Sequence, residues 1–208
     1  MQARRTRAED REATEEEHAP ARAGAIDDDG HPREALFGER LRAERTHRAL
    51  REGMLRLAGR EGDGAIINWL GADDVATVAP HVHAGGPDKE IVARIFVAPT
   101  TDRDTVMALG RYAIAAYLNV PVYAEFHRWL GREDQLAGMW SAWKDGDRKA
   151  ALEAIPDEVV DQLIVWGSPE ECREHIGRYV ANGVTTPALA VLPFGLDVRQ
   201  AVRDLAPR

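Results

Sequence analysis

Glu52-Gly53-Met54-Leu55-Arg56-Leu57-Ala58-Gly59-Arg60-Glu61-Gly62-Asp63-Gly64-Ala65-Ile66-Ile67-Asn68-Trp69-Leu70 is the stretch whose reading decides the fold class. Met54, Leu55, Leu57 and Ala58 fall at helical spacing, so a short amphipathic helix opens at Gly53 and stops at the Gly62-Asp63-Gly64 turn. The apolar run 65–70 follows at once and reads as a buried strand. Helix, tight turn and buried strand together make one unit of an α/β protein.

The same alternation continues toward the C-terminus. Asp73 is placed to cap a short helix to about Val78, and 81–89, with Gly85-Gly86-Pro87, reads as a loop. Residues 91–98 form a second apolar run, stopped by Pro99. Thr100 to Asp104 supply capping groups for a helix to about Asn119. Pro121 breaks it, and a second helix runs to about Trp129. Helical patterns follow near 133–144, 147–154 and 157–164. Gly167-Ser168-Pro169-Glu170-Glu171 is a strong helix start, with Ser168 as N-cap, Pro169 at N1 and Glu171 completing a capping box. Gly183 ends that helix, 186–192 is the third strand, and an amphipathic helix closes at about 196–205. Strands separated by helices imply parallel pairing with right-handed crossovers.

Upstream, the character changes. Residues 1–35 hold only Met1 and Ile26 as large apolar side chains, with charge runs at Glu15–Glu17 and Asp27–Asp29. Such a segment buries too little apolar surface to offset its ordering entropy. Residues 36–50 carry Leu36, Phe37, Leu41 and Leu50 among arginines, a thin stripe that would suit a helix. The expected division is a disordered, charged tail over 1–50 and a globular part over 51–208.

Composition narrows the partners. A net charge of -8 and a pI near 5.4 argue against nucleic acid or an anionic membrane. No apolar run is long enough for a membrane span, and 113–126 is broken by Asn119, Pro121 and Glu125. One cysteine, Cys172, excludes an internal disulfide and fits a reducing cytoplasm.

Taken in order, several segments resemble the C-terminal part of a known enzyme family. They are Gly53-Met54-Leu55-Arg56-Leu57-Ala58-Gly59, Asp63-Gly64-Ala65-Ile66-Ile67-Asn68-Trp69-Leu70 and Val92-Ala93-Arg94-Ile95-Phe96-Val97. Tyr117-Leu118-Asn119-Val120-Pro121-Val122-Tyr123, Trp143-Lys144-Asp145-Gly146-Asp147-Arg148, the 167–171 helix start and Gly183-Val184-Thr185-Thr186-Pro187 complete the set. The family is that of the luciferase-like monooxygenases, and within it the deazaflavin-dependent branch that uses coenzyme F-420.

The resemblance implies an α/β fold of partial (β/α)8, TIM-type, barrel form: about the last three strands, with a helical excursion after the seventh. It implies a flavin or deazaflavin at the C-terminal mouth, coenzyme F-420 or alternatively FMN. The implied chemistry is hydride transfer with, or monooxygenation of, a small organic substrate. Residues 1–50 resemble none of the five preceding strands, so catalytic residues stay unassigned. The competing expectation is an incompetent fragment or interaction module that associates, for instance as a homo-oligomer, through open strand edges.

Function in such barrels sits at the C-terminal strand ends. That selects Asn68 and Trp69, then Thr100 and the stretch around Pro193 and Phe194. Gly53 and Met54 are cofactor candidates for another reason. A glycine at a helix start lets backbone N–H groups approach a phosphate where the helix dipole favours an anion. His127, Arg128 and Trp129 are candidates to line the mouth from the excursion. His81 and His83 have a spacing that would chelate on a strand, but the adjoining Gly-Gly-Pro favours a loop, and no metal site is expected.

Overall fold

The computed structural model describes residues 46–206. Of the expected tail over 1–50, residues 1–45 lie outside the described residues. The elements are β1 (Thr46–Arg48), α1 (Glu52–Glu61), β2 (Gly64–Asn68), α2 (Val75–His83), β3 (Glu90–Ala98), α3 (Arg103–Leu118), α4 (Pro121–Trp129), α5 (Glu133–Lys144), α6 (Arg148–Glu153), α7 (Asp157–Leu163), β4 (Ile164–Trp166), α8 (Pro169–Ala181), β5 (Thr186–Val191) and α9 (Val198–Asp204).

All five strands are parallel. Residues 92–94 of β3 pair with both β2 and β5, so these two flank β3 on opposite edges. The neighbours therefore run β1-β2-β3-β5. β4 pairs with Phe96–Ala98, beyond the point where β2 ends opposite Arg94. It fills the edge that β2 vacates.

The sequence expectation of three strands thus falls short by two. β1 lies within 36–50, where a helix was the expectation. Its burial pattern shows no apolar alternation, and its place is fixed by pairing Thr46, His47 and Arg48 with Gly64, Ala65 and Ile66. β4 directly continues the apolar run that ends α7, so its three residues carry no period of their own.

One sheet face is packed. Ala65, Ile67, Ile91, Ala93 and Ile95 are buried there with Leu55 and Ala58 of α1, Val75, Val78 and Val82 of α2, and Cys172 and Tyr179 of α8. α1 and α2 meet closely at Gly59, where a Cβ would stand 2.0 Å from the Val82 carbonyl oxygen. α2 runs five residues past the expected stop at Val78, through Pro80. Val75, Val78, Ala79 and Val82 are buried at i, i+3, i+4 and i+7, and this apolar stripe outweighs the bond that proline removes. Ala76, whose carbonyl Pro80 leaves free, faces solvent.

A second core joins α3–α7 to Trp69 and Phe96, with Ile114, Leu118, Leu136, Met139 and Val160 at its centre. A buried ion pair ties the excursion to the sheet. Arg132 lies 2.8 Å from Asp74 and also donates to Gln162, while Asp74 accepts from the Gly71 N–H. The capping box at Ser168 forms as expected.

Candidate active site

The opposite sheet face carries the site. Directly paired residues of parallel strands share a face, so Arg48, Ile66 and Val92 stand in one row, and Asn68 and Arg94 in the next row toward the strand ends. Arg48 and Arg94 are exposed. Arg48, Ile66, Asn68 and Arg94, with Leu50, Arg51 and Met54 around the start of α1 and Tyr117, Val122 and Tyr123 from α3 and α4, line a cleft of about 530 Å³.

Among the described residues three guanidinium groups line this cleft and no carboxylate does, in a chain of net charge -8. Among the described residues Arg48 and Arg94 have no ion-pair partner. Arg51 has Glu125, at 3.9 Å. Leu55 is the first residue of α1 to bond back, to the Arg51 carbonyl, which leaves the N–H groups of Glu52, Gly53 and Met54 without an intrahelical acceptor. The positive end of the helix dipole adds to the arginines.

The aromatic wall is layered. Phe96 stacks on Trp69 with ring centroids 4.0 Å apart, Trp69 tilts against Tyr117 at 5.1 Å, and Tyr117 meets the edge of Tyr123 at 6.3 Å. The Arg94 guanidinium lies over the Phe96 ring at 4.7 Å. Asn68 Nδ2 donates to Tyr123 Oη at 3.0 Å, which links the end of β2 to the excursion.

Of the four residues nominated as cofactor candidates, Met54 and Asn68 line the cleft, and Gly53 sits beside it in the first turn of α1 with open space around its Cα. Trp69 is buried and turns the chain at a φ of 54°, so it supports the cleft from beneath rather than lining it.

The other nominations fare differently. His127 is fully buried, and among the described residues neither ring nitrogen makes a well-aligned hydrogen bond. Burial, with the charge of Arg132, lowers its pKa to about 3, and the nearby Trp69 backbone opposes this without prevailing. Arg128 stacks on Trp140, and Trp129 packs on Phe126 and His81, so none of these three lines the cleft. Thr100 accepts from the Asp102 N–H ahead of α3, and Phe194 packs against the second core. His81 and His83 lie in α2, not on a strand or in the expected loop. Two apart on a helix, they point in different directions and cannot share an ion. Cys172 is a buried thiol that burial pushes up to about 11.

Sequence reasoning missed Arg48, Arg51, Arg94 and Tyr123 as lining residues. An arginine on a strand reads as a solvent-facing residue until the register shows which face it shares.

Residues 46–186 match the family described as luciferase-like monooxygenase. The chain belongs to the luciferase-like monooxygenase family. Two relatives are similar in sequence, and the first names the deazaflavin coenzyme. A coenzyme F-420-dependent oxidoreductase of Mycobacterium tuberculosis is 28% identical over 149 residues, covering 69% of this chain and 41% of the relative. The 5,10-methylenetetrahydromethanopterin reductase of Archaeoglobus fulgidus is 26% identical over 162 residues, covering 72% and 48%.

Two solved structures share the fold of this luciferase-like chain. The coenzyme F-420-dependent tetrahydromethanopterin reductase of Methanopyrus kandleri superposes with a TM-score of 0.61 at 19% identity, over 82% of this chain and 50% of that one. A secondary alcohol dehydrogenase dependent on the same coenzyme gives 0.52 at 13%, over 78% and 48%. The chain therefore spans about half the length of the relatives it matches.

Proposed function

We propose that the chain forms the cofactor-tail and substrate side of an oxidoreductase that uses coenzyme F-420 on a small organic molecule. One observation carries this reading: Arg48, Arg51 and an uncapped helix start meet at one end of a cleft that, among the described residues, no carboxylate lines, in an acidic chain. That donor set fits a phosphate-bearing cofactor. Arg48, Arg51 and the N–H groups of Gly53 and Met54 would hold the anionic part. The apolar wall of Leu50, Met54 and Val122 would take a flat ring and exclude water from one side. When bound, the deazaflavin supplies the hydride chemistry; this chain's residues bind, orient and shield. FMN shares the anionic tail and the flat ring, and the name of the mycobacterial relative favours coenzyme F-420.

Titration of the 208-residue chain with oxidised coenzyme F-420, followed by the coenzyme's own fluorescence, tests the reading. Saturable binding is expected, weakened about tenfold in Arg51→Gln, as for loss of one charge-assisted contact. Absence of saturation, or equal binding by wild type and Arg51→Gln, counts against it. FMN in the same titration is expected to bind more weakly.

A further inference from the structure

We propose that Arg94 is a second, separate anion-recognition point in the cleft, which binds a carboxylate or phosphate group of a small organic ligand. The identification of that ligand as the substrate, rather than the cofactor, rests on the reading given above.

Four observations support the assignment. Arg94 lines the cleft, is exposed, and has no acidic partner among the described residues. Its guanidinium is placed, not free: it lies over Phe96, which is itself stacked on the buried Trp69. A ring beneath one face of the planar group leaves its edge donors available, in a fork that suits an oxyanion. Third, Arg94 is two strands away from β1, which leads into α1. It stands on β3, across β2 from β1, one row further along than Arg48. Contact with Phe96 carries its head still further toward the strand end. Fourth, Tyr123 stands in the same cleft and accepts from Asn68, the direct register partner of Arg94. The Tyr123 hydroxyl proton is not used by that bond and remains available to an acceptor. A ligand with an oxyanion at Arg94, an acceptor at Tyr123 and an apolar body against Tyr117 and Val122 satisfies all of these groups.

Wild-type full chain, Arg94→Gln and Arg94→Lys are titrated at low ionic strength with benzoate, phenyl phosphate and benzyl alcohol, read by intrinsic fluorescence. Coenzyme F-420 is titrated in parallel, and far-UV circular dichroism verifies that each variant is folded. Both anions are expected to bind at least about tenfold more tightly than the alcohol. Arg94→Gln abolishes that preference, Arg94→Lys retains part of it, and coenzyme binding changes less than about twofold. The preferred anion distinguishes carboxylate from phosphate.

Equal binding of benzoate and benzyl alcohol, no anion binding, or unchanged anion binding in Arg94→Gln overturns the proposal. Equal weakening of coenzyme and benzoate by Arg94→Gln also overturns it, because Arg94 then belongs to the cofactor. Anion binding that depends on Arg94, in a chain that does not bind the coenzyme, supports the anion site and removes the functional reading instead.

Discussion

Trp69 holds a left-handed backbone conformation that a bulky residue adopts only at some cost, of order 1–2 kcal/mol. The stack on Phe96 and the contact with Tyr117 offset it. Under this turn lies His127, a buried imidazole with no well-aligned hydrogen bond among the described residues. Its pKa is depressed from the ordinary 6.5 to about 3, chiefly by burial. The unfolded chain therefore takes up a proton near pH 6.5 that the folded chain refuses. The folded state is fully favoured above that pH and loses stability as the pH falls from about 6.5 toward 3, by up to about 1.4 kcal/mol per pH unit for this group. His175, lowered to about 4 by burial, adds its own share over a narrower window. His127→Phe keeps a flat ring and removes one proton from the balance. Denaturant melts between pH 7 and 4 are expected to show a shallower loss for the variant; parallel curves would contradict this. Asn68 and Met54 were legible as candidates because they stand at a strand end and a helix start, and both line the cleft. Arg94 was not, because only the register shows that it stands beside Asn68 on the cleft face.

At the scale of elements, α8 carries its own N-terminal cap. Ser168 Oγ accepts from the Glu171 N–H and Glu171 Oε2 accepts from the Ser168 N–H, and these bonds hold the Glu171 carboxyl below its ordinary value. Ser168→Ala is expected to cost about 1 kcal/mol in urea unfolding. Gly59 sets the α1–α2 contact. Gly59→Ala would drive a methyl into the Val82 carbonyl, so the helices must separate, and a loss of about 1–3 kcal/mol is expected with a visible fall in Tm. An unchanged Tm would show that α1 is free to move. Helix starts such as Ser168 and long apolar runs such as 91–98 were readable because capping chemistry and apolar patterning are local. β1 and β4 were not readable. Three residues cannot establish a period, and both strands exist only through partners distant in sequence.

For the whole molecule, the described residues leave three strands paired on one side only, β1, β4 and β5. Parallel strands with open edges associate readily. The purified chain is expected to elute ahead of a 23.0 kDa monomer on sizing, with the shift growing with concentration. Monomeric elution at all concentrations would show that the edges are otherwise protected. The excursion is bound to the sheet by the Asp74–Arg132 pair, buried on both sides. Asp74→Asn strands the guanidinium and is expected to cost about 3–5 kcal/mol in denaturant unfolding.

The strand Ile164–Trp166 bears on engineering as well. It is delivered by the helical insertion, yet it completes the central strand where its other neighbour departs. Trimming the insertion, or transplanting it into another scaffold, would therefore remove or misplace a stave of the sheet itself. A successful chimera must cut after Trp166, not at the end of the last helix before it.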